Sequence, residues 1–383
     1  MCETDRSHET YENIIECFED VPDPRVKRTQ DHKLIDILVI GLCSMITVGK
    51  HFTDMETFGE AKEAWLRSFL ELPNGIPTHH TFNRVFSAID PECFTACFVK
   101  WVGGICKALE NEVVAIDGKA LRCALNAGDK IPYIVSAWAV KNGLSMGQVK
   151  VDEKSNEITA IPELLRLLNI KGCIVTIDAM GTQKSIAGEI VEAGADYVLA
   201  LKGNHGNAHD EFKLFFDDAV PAGSDAKTPR SDAMDFHETI EKGHGRIETR
   251  RYWHTEDIDW FEDKKHWPGL ISVAMVESTR VIKGEASVER RIFLCSIPRN
   301  AQRLGEAVRG HWGVENPLHW TLDVTFGEDQ SRAREKNAAQ NLATLRRIAL
   351  NLAKMNTSSK LPIRRKLIKA ALNTDFLVEL LGI

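Results

Sequence analysis

The 383-residue sequence lacks the cysteine spacing that marks disulfide frameworks and zinc ribbons. Its nine cysteines are odd in number, and no two of them form a Cys-x-x-Cys pair. We therefore expect most of them to be buried thiols in a protein of a reducing compartment. The cysteines are Cys2, Cys17, Cys43, Cys93, Cys97, Cys106, Cys123, Cys173 and Cys295.

Long apolar runs are also missing. The longest, residues 35–49, is interrupted by Asp36 and is too short to cross a bilayer. The first residues show neither the basic nor the apolar region of a secretory signal. We therefore expect a cytoplasmic protein without a membrane partner.

An excess of positive charge is missing from the chain as a whole, whose formal net charge is -7. This argues against a nucleic-acid partner, because proteins that bind nucleic acids are usually basic. The charge is unevenly distributed, however. Residues 331–383 hold 11 basic and 3 acidic residues, which leaves 37 basic and 52 acidic residues in the rest. Such a basic segment can face a polyanion, while a solvated basic helix remains the alternative.

The hydrophobic pattern predicts helices first and a mixed sheet afterwards. Residues 34–104 have helical periodicity, with Thr78 as an N-cap and Pro91 at the start of another helix. From Val113 to Leu201 the order is β-β-β-α-β-α-β, with a hairpin at Asn142-Gly143. Residues 337–354 form an amphipathic helix.

Length and pattern together predict several domains. We divide the chain into four parts. They are an acidic N-terminal segment (residues 1–32), a helical domain (residues 33–108), an α/β domain (residues 109–355) with a strand-rich insertion at about 205–290, and a basic C-terminal tail (residues 356–383).

Three carboxylates are candidates for the sheet edge beyond the carboxyl ends of the strands, where α/β proteins bind ligands. Asp117 and Asp178 each follow a short apolar strand, and Glu315 lies in a run rich in Trp and His. Hard cations prefer oxygen ligands, and two such ions about 4 Å apart can clamp the oxygens of a phosphoryl transfer. Each aspartate taken singly is better explained as a turn residue or helix N-cap, but the two together, both after short apolar strands, weaken that explanation. Gly118 and Ala179 are small, which lets a ligand approach.

Four motifs then resemble those of a known family. They are Val-Ala-Ile-Asp117-Gly-Lys, Val-Thr-Ile-Asp178-Ala-Met, Leu-Lys202-Gly-Asn and Arg309-Gly-His-Trp-Gly-Val-Glu315-Asn-Pro-Leu-His-Trp. The chain is similar over nearly its whole length to bacterial insertion-sequence transposases with an Asp-Asp-Glu site, in the H-repeat-associated group. Larger relatives carry a Tyr, an Arg and a Lys around the Glu, whereas this chain has Val308, His311 and Leu322 at those positions.

The resemblance implies a ribonuclease-H-like α/β fold, a mixed sheet with flanking helices and a β-rich insertion, preceded by a small all-helical domain. It implies that Asp117, Asp178 and Glu315 bind Mg²⁺ or Mn²⁺ and catalyse cleavage of element-end DNA and strand transfer into target DNA. The partners implied are double-stranded DNA and a second copy of the chain in the DNA complex. The place implied is the bacterial cytoplasm, on the nucleoid when DNA is bound.

Several polar residues are candidate DNA contacts. The alternatives for them are exposed charges, turn residues or packed aromatic side chains, and a zinc site of the His-x-x-x-His type for the histidines. The candidates are Lys119, Arg122, Lys202, Asn204, Arg309, His311, Trp312, His319, Arg332 and Arg334. Arg346 and Arg347 are further candidates for the DNA backbone, and the helix Thr78–Ala88 is a candidate recognition helix.

Three functions remain open from the sequence. The first is an active transposase. The second is a DNA-binding protein that derives from a transposase and is catalytically silent or domesticated. Terminal inverted repeats around the gene would argue against this second function. The third, a metal phosphohydrolase for small phosphates, leaves the helical domain and the basic tail unexplained.

Overall fold

The computed structural model describes residues 13–106, 111–122, 131–151, 157–220, 233–243 and 245–382. Cys2 and Cys123 lie outside these ranges. Of the seven described cysteines, all but Cys93 are buried and all are free thiols, as expected. Across the described ranges, no helix has both the length and the apolarity needed to cross a membrane.

Five helices precede the sheet. They are α1 Ile14–Glu19, α2 Leu34–Ile46, α3 Phe52–Leu66, α4 His79–Ala88 and α5 Pro91–Ile105. Helix α4 starts as predicted, because the Thr78 hydroxyl accepts the backbone N–H of Thr81 at 3.4 Å. Helix α2 is apolar on nearly every side and is buried along its length, so it forms the centre of this helical layer.

Nine strands form one mixed sheet, which confirms the predicted α/β class. The strands are β1 Val113–Ala120, β2 Tyr133–Ala139, β3 Leu144–Val151, β4 Ile174–Ile177, β5 Asp196–Leu201, β6 Met234–Gly243, β7 Arg246–Thr255, β8 Ser272–Ile282 and β9 Glu285–Cys295. Their order is β3-β2-β1-β4-β5-β9-β8-β7-β6. Strands β1, β4 and β5 are parallel, and the other pairs are antiparallel. The strand-rich insertion therefore extends the same sheet through the pairing of β9 with β5.

Helices cover both faces of the sheet. They are α6 Glu157–Leu167, α7 Lys184–Glu192, α8 Asn207–Ala219, α9 Ala301–His311, α10 Thr321–Val324, α11 Ala338–Met355, α12 Ile363–Leu372 and α13 Thr374–Leu381, with a π-helical segment at Val314–Trp320. Helices α6, α7 and α8 share a core with one face, and α9 packs on the other. Strand β1 alternates Val114 and Ile116 toward the first core with Val113 toward the second, as a strand buried on both faces does.

Helix α11 belongs to the core of the N-terminal helices. It packs against α2, α4 and α5, and its Leu345 and Ile348 are fully buried. Residues 363–381, within the predicted basic tail, form α12 and α13 and bury Leu367 and Phe376 in the same core. The helical layer is thus built from both the beginning and the end of the described chain.

Two element boundaries differ from the prediction. Strand β1 was expected to end at Ile116 but continues to Ala120, because β2 pairs with it up to Tyr133. Helix α6 was expected to begin at Pro162, since proline favours a first turn, but it already includes Glu157, so the proline lies inside the helix. A proline removes only one helical hydrogen-bond donor, and Ile161, Leu164 and other apolar residues of α6 pack on the sheet.

Candidate active site

Asp117 and Asp178 lie side by side where the β1–β4 ladder ends. Ile116 and Ile177 form its last pair, so Asp117 and Asp178 are the residues that directly follow this pair. Neighbouring strands lie about 4.8 Å apart, which places the two Asp backbones next to each other. Asp117 lies inside β1 and not after it, since it also pairs with Ser136 of β2.

Glu315 reaches the same place from the face of the sheet that α9 covers. Helix α9 crosses β1, β4 and β5 and ends at His311, and Glu315 follows in the π-helical segment. Such segments are rare and are frequent at functional sites. All three carboxylates line one cavity of about 170 Å³. Its other lining side chains include Thr176, Lys202, Arg291, His311 and Trp312.

The Asp117 carboxyl has an unusual pKa. Burial raises it to about 7, and the charges of Asp178, Glu157 and Glu315 act in the same direction. A hydrogen bond from the backbone of Gly118 opposes this rise. The site therefore disfavours the ionised form of Asp117 until a cation compensates the charge.

The Asp178 carboxylate is fixed by its own turn. Its Oδ1 accepts the backbone N–H of Met180 at 3.1 Å and that of Gly181 at 3.4 Å. The Thr182 hydroxyl bonds the Asp178 carbonyl at 3.1 Å and holds the same loop. The turn-residue role offered as the alternative is therefore present, and it keeps Asp178 at the edge of the cavity.

Glu157 is a fourth carboxylate that the sequence pattern does not identify. It opens α6, and the Tyr133 hydroxyl hydrogen-bonds its carboxylate. Burial and then Asp178 raise its pKa. A Cβ atom at position 118 would lie 2.6 Å from Glu157 Oε1, so only glycine there permits this approach. The expectation of a helix from Pro162 onward leaves Glu157 outside that helix, so the sequence pattern does not point to this carboxylate.

Two histidines beside the carboxylates are neutral. His311 Nδ1 lies 3.1 Å from the Thr176 hydroxyl, and burial lowers its pKa to about 4 despite the nearby Asp178. His319 Nδ1 lies 3.5 Å from Asp117 Oδ2, and burial lowers its pKa to about 4 as well. His319 Nε2 is buried and has no hydrogen-bond partner within the described part of the chain.

The donor chemistry suits a hard divalent cation. Among the described residues, no three His, Cys, Asp or Glu side chains are already arranged as a set of metal ligands. Asp117, Asp178 and Glu315 nevertheless line one cavity and offer only oxygen donors, which magnesium prefers over nitrogen or sulfur. Burial, together with the charges of Asp178, Glu157 and Glu315, raises the pKa of Asp117.

The predicted DNA contacts are only partly gathered at this cavity. Lys202, His311 and Trp312 line it, and Arg291 stacks on Trp312 with 4.6 Å between its guanidinium carbon and the ring centre. Asn204 lies beside it and donates to the carbonyl of Ala179 at 3.0 Å. Arg309 pairs with Glu241 at 3.0 Å in a neighbouring cavity.

Other candidates lie away from the cavity. Lys119 is in β1 with its ammonium paired to Asp323, to Glu328 at 2.9 Å and to Asp329 at 3.4 Å. Arg122 is exposed, 3.8 Å from Asp329. Arg332 and Arg334 are exposed and line a separate groove.

The expectation that Arg346 and Arg347 contact DNA is wrong. Both side chains are buried in α11, and Arg347 pairs with Glu328 at 2.9 Å. The helical pattern places them on a polar face, but that face is covered by the turn at residues 328–330 and by β2.

The sequence pattern also misses an arginine-rich cavity of about 240 Å³ beside Glu315. Alternate residues of a strand point to one face, so arginines of three strands meet there. They are Arg246, Arg250, Arg280 and Arg291, joined by Arg309 of α9. Glu248 accepts hydrogen bonds from Arg250 at 2.7 Å and from Arg280 at 2.8 Å, and it forms an ion pair with Arg246 at 3.8 Å. The spacing of Arg246 and Arg250, which places both on one face of β7, is the sequence signal for this surface.

Comparison with known proteins gives consistent matches. The family described as "Transposase DDE domain" matches residues 109–352, and the associated family "DDE_Tnp_1-associated" matches residues 15–102. The chain is 37% identical to "H repeat-associated putative transposase YhhI" of Escherichia coli strain K12, covering 96% of this chain and 97% of that protein. It is 38% identical to "Putative transposase YncI" of Escherichia coli O157:H7, covering 97% and 95%.

A solved structure is also similar. It is a cryo-EM structure of a piggyBac transposase synaptic complex with hairpin DNA, 12% identical, with a TM-score of 0.45, covering 97% of this chain and 81% of that one. The family match and the two full-length relatives are decisive. The chain belongs to the DDE transposase family, among the H-repeat-associated insertion-sequence proteins.

Proposed function

We propose that this transposase cleaves phosphodiester bonds at the ends of its element and joins the freed 3′-hydroxyl to target DNA. The observation that supports this most directly is the convergence of Asp117, Asp178 and Glu315 on one cavity from two strands and the π-helical segment. The strand order β3-β2-β1-β4-β5, with β2 antiparallel to both neighbours, supports a ribonuclease-H-like core around them.

In this proposal the three carboxylates hold divalent magnesium or manganese. Two bound ions would clamp the attacking and leaving oxygens of an in-line displacement. Asp117 must lose its proton to serve as a ligand, and a neighbouring positive charge favours that loss. The turn hydrogen bonds of Asp178 hold one carboxylate oxygen in place.

The reaction then consists of two successive displacements at phosphorus. In the first, water oxygen bonds to the phosphorus, the bond to the 3′-oxygen breaks, and that oxygen leaves as a 3′-hydroxyl. In the second, this hydroxyl oxygen bonds to a target phosphorus and displaces the target's own 3′-oxygen. Lys202 and Arg291 line the cavity and supply positive charge to the phosphate.

The Asp117→Asn substitution tests the assignment. The variant should lose metal-dependent cleavage of duplex DNA that carries the sequence flanking the gene, while its DNA affinity stays unchanged. The loss should exceed the roughly 10–100-fold cost of removing a residue that only orients a metal ligand. Cleavage is measured on gels and affinity by fluorescence anisotropy.

The matched control is Asp375→Asn, which removes one exposed carboxylate from α13. It should cleave like the unaltered chain. Undiminished cleavage by Asp117→Asn would overturn the assignment. An unaltered chain that binds this DNA but never cleaves it with Mg²⁺ or Mn²⁺ would identify the silent transposase-derived protein instead.

A further inference from the structure

Glu157 lies against the residue that follows Asp117. A Cβ atom at Gly118 would be 2.6 Å from Glu157 Oε1 and 2.7 Å from the carboxyl carbon, so this carboxylate lies directly over the backbone of the glycine. The Tyr133 hydroxyl hydrogen-bonds the same carboxylate. A side chain of β2 therefore holds Glu157 beside the strand that carries Asp117.

The same face of α6 also reaches the turn of Asp178. Ile161 follows Glu157 by one helical turn, which puts both side chains on one side of the helix. A Cβ atom at Gly181, in the turn after Asp178, would be 2.6 Å from Ile161 Cδ1. This contact fixes α6, and with it Glu157, relative to the second aspartate.

The sheet leaves room for Glu157 to reach the aspartates from the α6 face. The β1–β4 ladder ends at Ile116 and Ile177, whereas β1 continues to Ala120. Beyond that pair, no described strand adjoins β1 on the side of β4. Glu157 is not among the side chains that line the 170 Å³ cavity on the α9 face. It therefore approaches this edge of the sheet from the other side.

The charge around Glu157 is negative. Burial raises the pKa of Glu157, and the charge of Asp178 raises it further. Glu157 is in turn one of the charges that, after burial, raise the pKa of Asp117. Charges interact more weakly as they move apart, so these three carboxylates lie near one another. Within the described part of the chain, Tyr133 hydrogen-bonds Glu157 and no protein cation compensates its charge.

We propose that Glu157 is a fourth metal-binding carboxylate, which supplies an oxygen donor to the divalent cation held by Asp117 and Asp178. The inference rests on the proposed function, because it takes that cation as part of the active site. A carboxylate has two oxygens, so Glu157 can accept the Tyr133 hydrogen bond and still bind a metal ion. Tyr133 is then a positioning residue, which orients the carboxylate toward the metal.

The test measures metal affinity without DNA, so its readout does not depend on cleavage. Mn²⁺ is titrated into the metal-free full chain at about pH 8, above the Asp117 pKa of about 7, and free Mn²⁺ is measured by electron paramagnetic resonance. Glu157→Gln removes the negative charge and should lower the Mn²⁺ affinity by more than about 10-fold. Tyr133→Phe should lower it by a smaller factor, because the phenol only orients the ligand.

Glu163→Gln is the matched control, because Glu163 is exposed on the same helix. This variant should keep the Mn²⁺ affinity of the unaltered chain. Thermal melts separate binding from folding. Glutamine can still accept the Tyr133 hydrogen bond, so Glu157→Gln should melt like the unaltered chain without metal. It should gain less stability than the unaltered chain when Mn²⁺ is added.

The outcomes separate this inference from the proposed function. If Glu157→Gln keeps the full Mn²⁺ affinity while Asp117→Asn loses it, the inference alone is overturned. A lower melting temperature without metal, combined with unchanged Mn²⁺ affinity, would show a purely structural carboxylate and would also overturn it. Equal losses of affinity in Glu163→Gln and Glu157→Gln would do the same. If the unaltered chain binds Mn²⁺ no better than Asp117→Asn, both the inference and the metal-dependent proposed function are overturned.

Discussion

Gly118 occupies a position where a side chain would collide with the surroundings of Asp117. A Cβ atom there would lie 2.4 Å from Tyr133 Cε1 and 2.6 Å from Glu157 Oε1. Both atoms belong to side chains, and the Tyr133 hydroxyl hydrogen-bonds the Glu157 carboxylate, so a Cβ atom at position 118 would displace this pair. The small residue after Asp117 thus allows a close approach by a fourth carboxylate and its tyrosine partner.

We expect Gly118→Ala to destabilise the protein by about 1–3 kcal/mol, the usual cost of overpacking. Urea denaturation measures this as a lower midpoint. Gly103→Ala in α5 is the control, because a Cβ atom there has open space. Alanine is the better helix former, so that variant should gain about 0.5–1 kcal/mol. Equal stability of Gly118→Ala and the unaltered chain would contradict the packing described here.

At the scale of residues, the sequence identifies the carboxylates that follow apolar strands and misses the one that depends on tertiary packing. Asp117 and Asp178 are visible because strand ends are local signals, and the structure brings them together. Glu157 depends on where α6 begins and on Tyr133, which lies 24 positions away in the sequence. The local sequence pattern therefore does not predict that Glu157 lies close to Asp178.

Between elements, a buried ion network connects strand β1, which carries Asp117, to α11. Glu328 accepts the Lys119 ammonium at 2.9 Å and the Arg347 guanidinium at 2.9 Å. Arg347 also donates to the Ser136 hydroxyl of β2 at 3.0 Å. Burial raises the pKa of Glu328, but the two cations outweigh burial and hold that pKa at about 2.

Removing the charge by Glu328→Gln should cost about 3–5 kcal/mol, because it leaves buried cations unpaired. Since the folded-state pKa is depressed, the contribution of Glu328 is complete above its ordinary range near pH 4.5 and disappears as the pH falls toward 2. Chemical denaturation at pH 7 and at pH 3 measures both effects. The difference between the two proteins should be larger at pH 7.

Glu63→Gln provides the comparison for this prediction. Glu63 pairs with Arg67 one helical turn away on exposed α3, at 2.7 Å. Such pairs contribute about 0.3–0.5 kcal/mol. If Glu328→Gln costs no more than Glu63→Gln, the network does not stabilise the junction of β1 and α11.

Among elements, the sequence predicts those with strong local signals. The hairpin at Asn142-Gly143 and the α4 and α5 starts are confirmed, because turn and cap residues act over a few positions. The extension of β1 to Ala120 and the joining of β9 to β5 arise from pairing between distant segments. The polar face of α11 was expected to face solvent, but it faces a buried ion network. The amphipathic pattern of a helix is the same in both cases.

At the scale of the whole molecule, the hydrophobic core does not follow the predicted domain boundaries. The core of α1–α5 also contains residues of α11, α12 and α13. The fully buried Leu345 and Ile348 are two of the α11 side chains in it. The N-terminal helices therefore lack part of their packing partners when separated from the end of the chain.

We expect a fragment of residues 1–108 to lack a cooperative unfolding transition, because its apolar surface stays uncovered without α11. Near-UV circular dichroism and thermal melts of the fragment and the full chain measure this. Adding a peptide of residues 337–383 in trans should increase its order. A fragment that melts cooperatively on its own, at the temperature of the full chain, would show an independent domain.

The shared core and the groove lined by Arg332 and Arg334 have a consequence for synthesis on the ribosome. One wall of the groove comes from residues 50–83 and the other from residues 331–335, which are held in place by α11. Because chains emerge from the N-terminus, neither the helical layer nor the groove can be complete before residues 331–355 have been made. The first helices of a nascent chain are therefore expected to remain incompletely packed until α11 has left the ribosome.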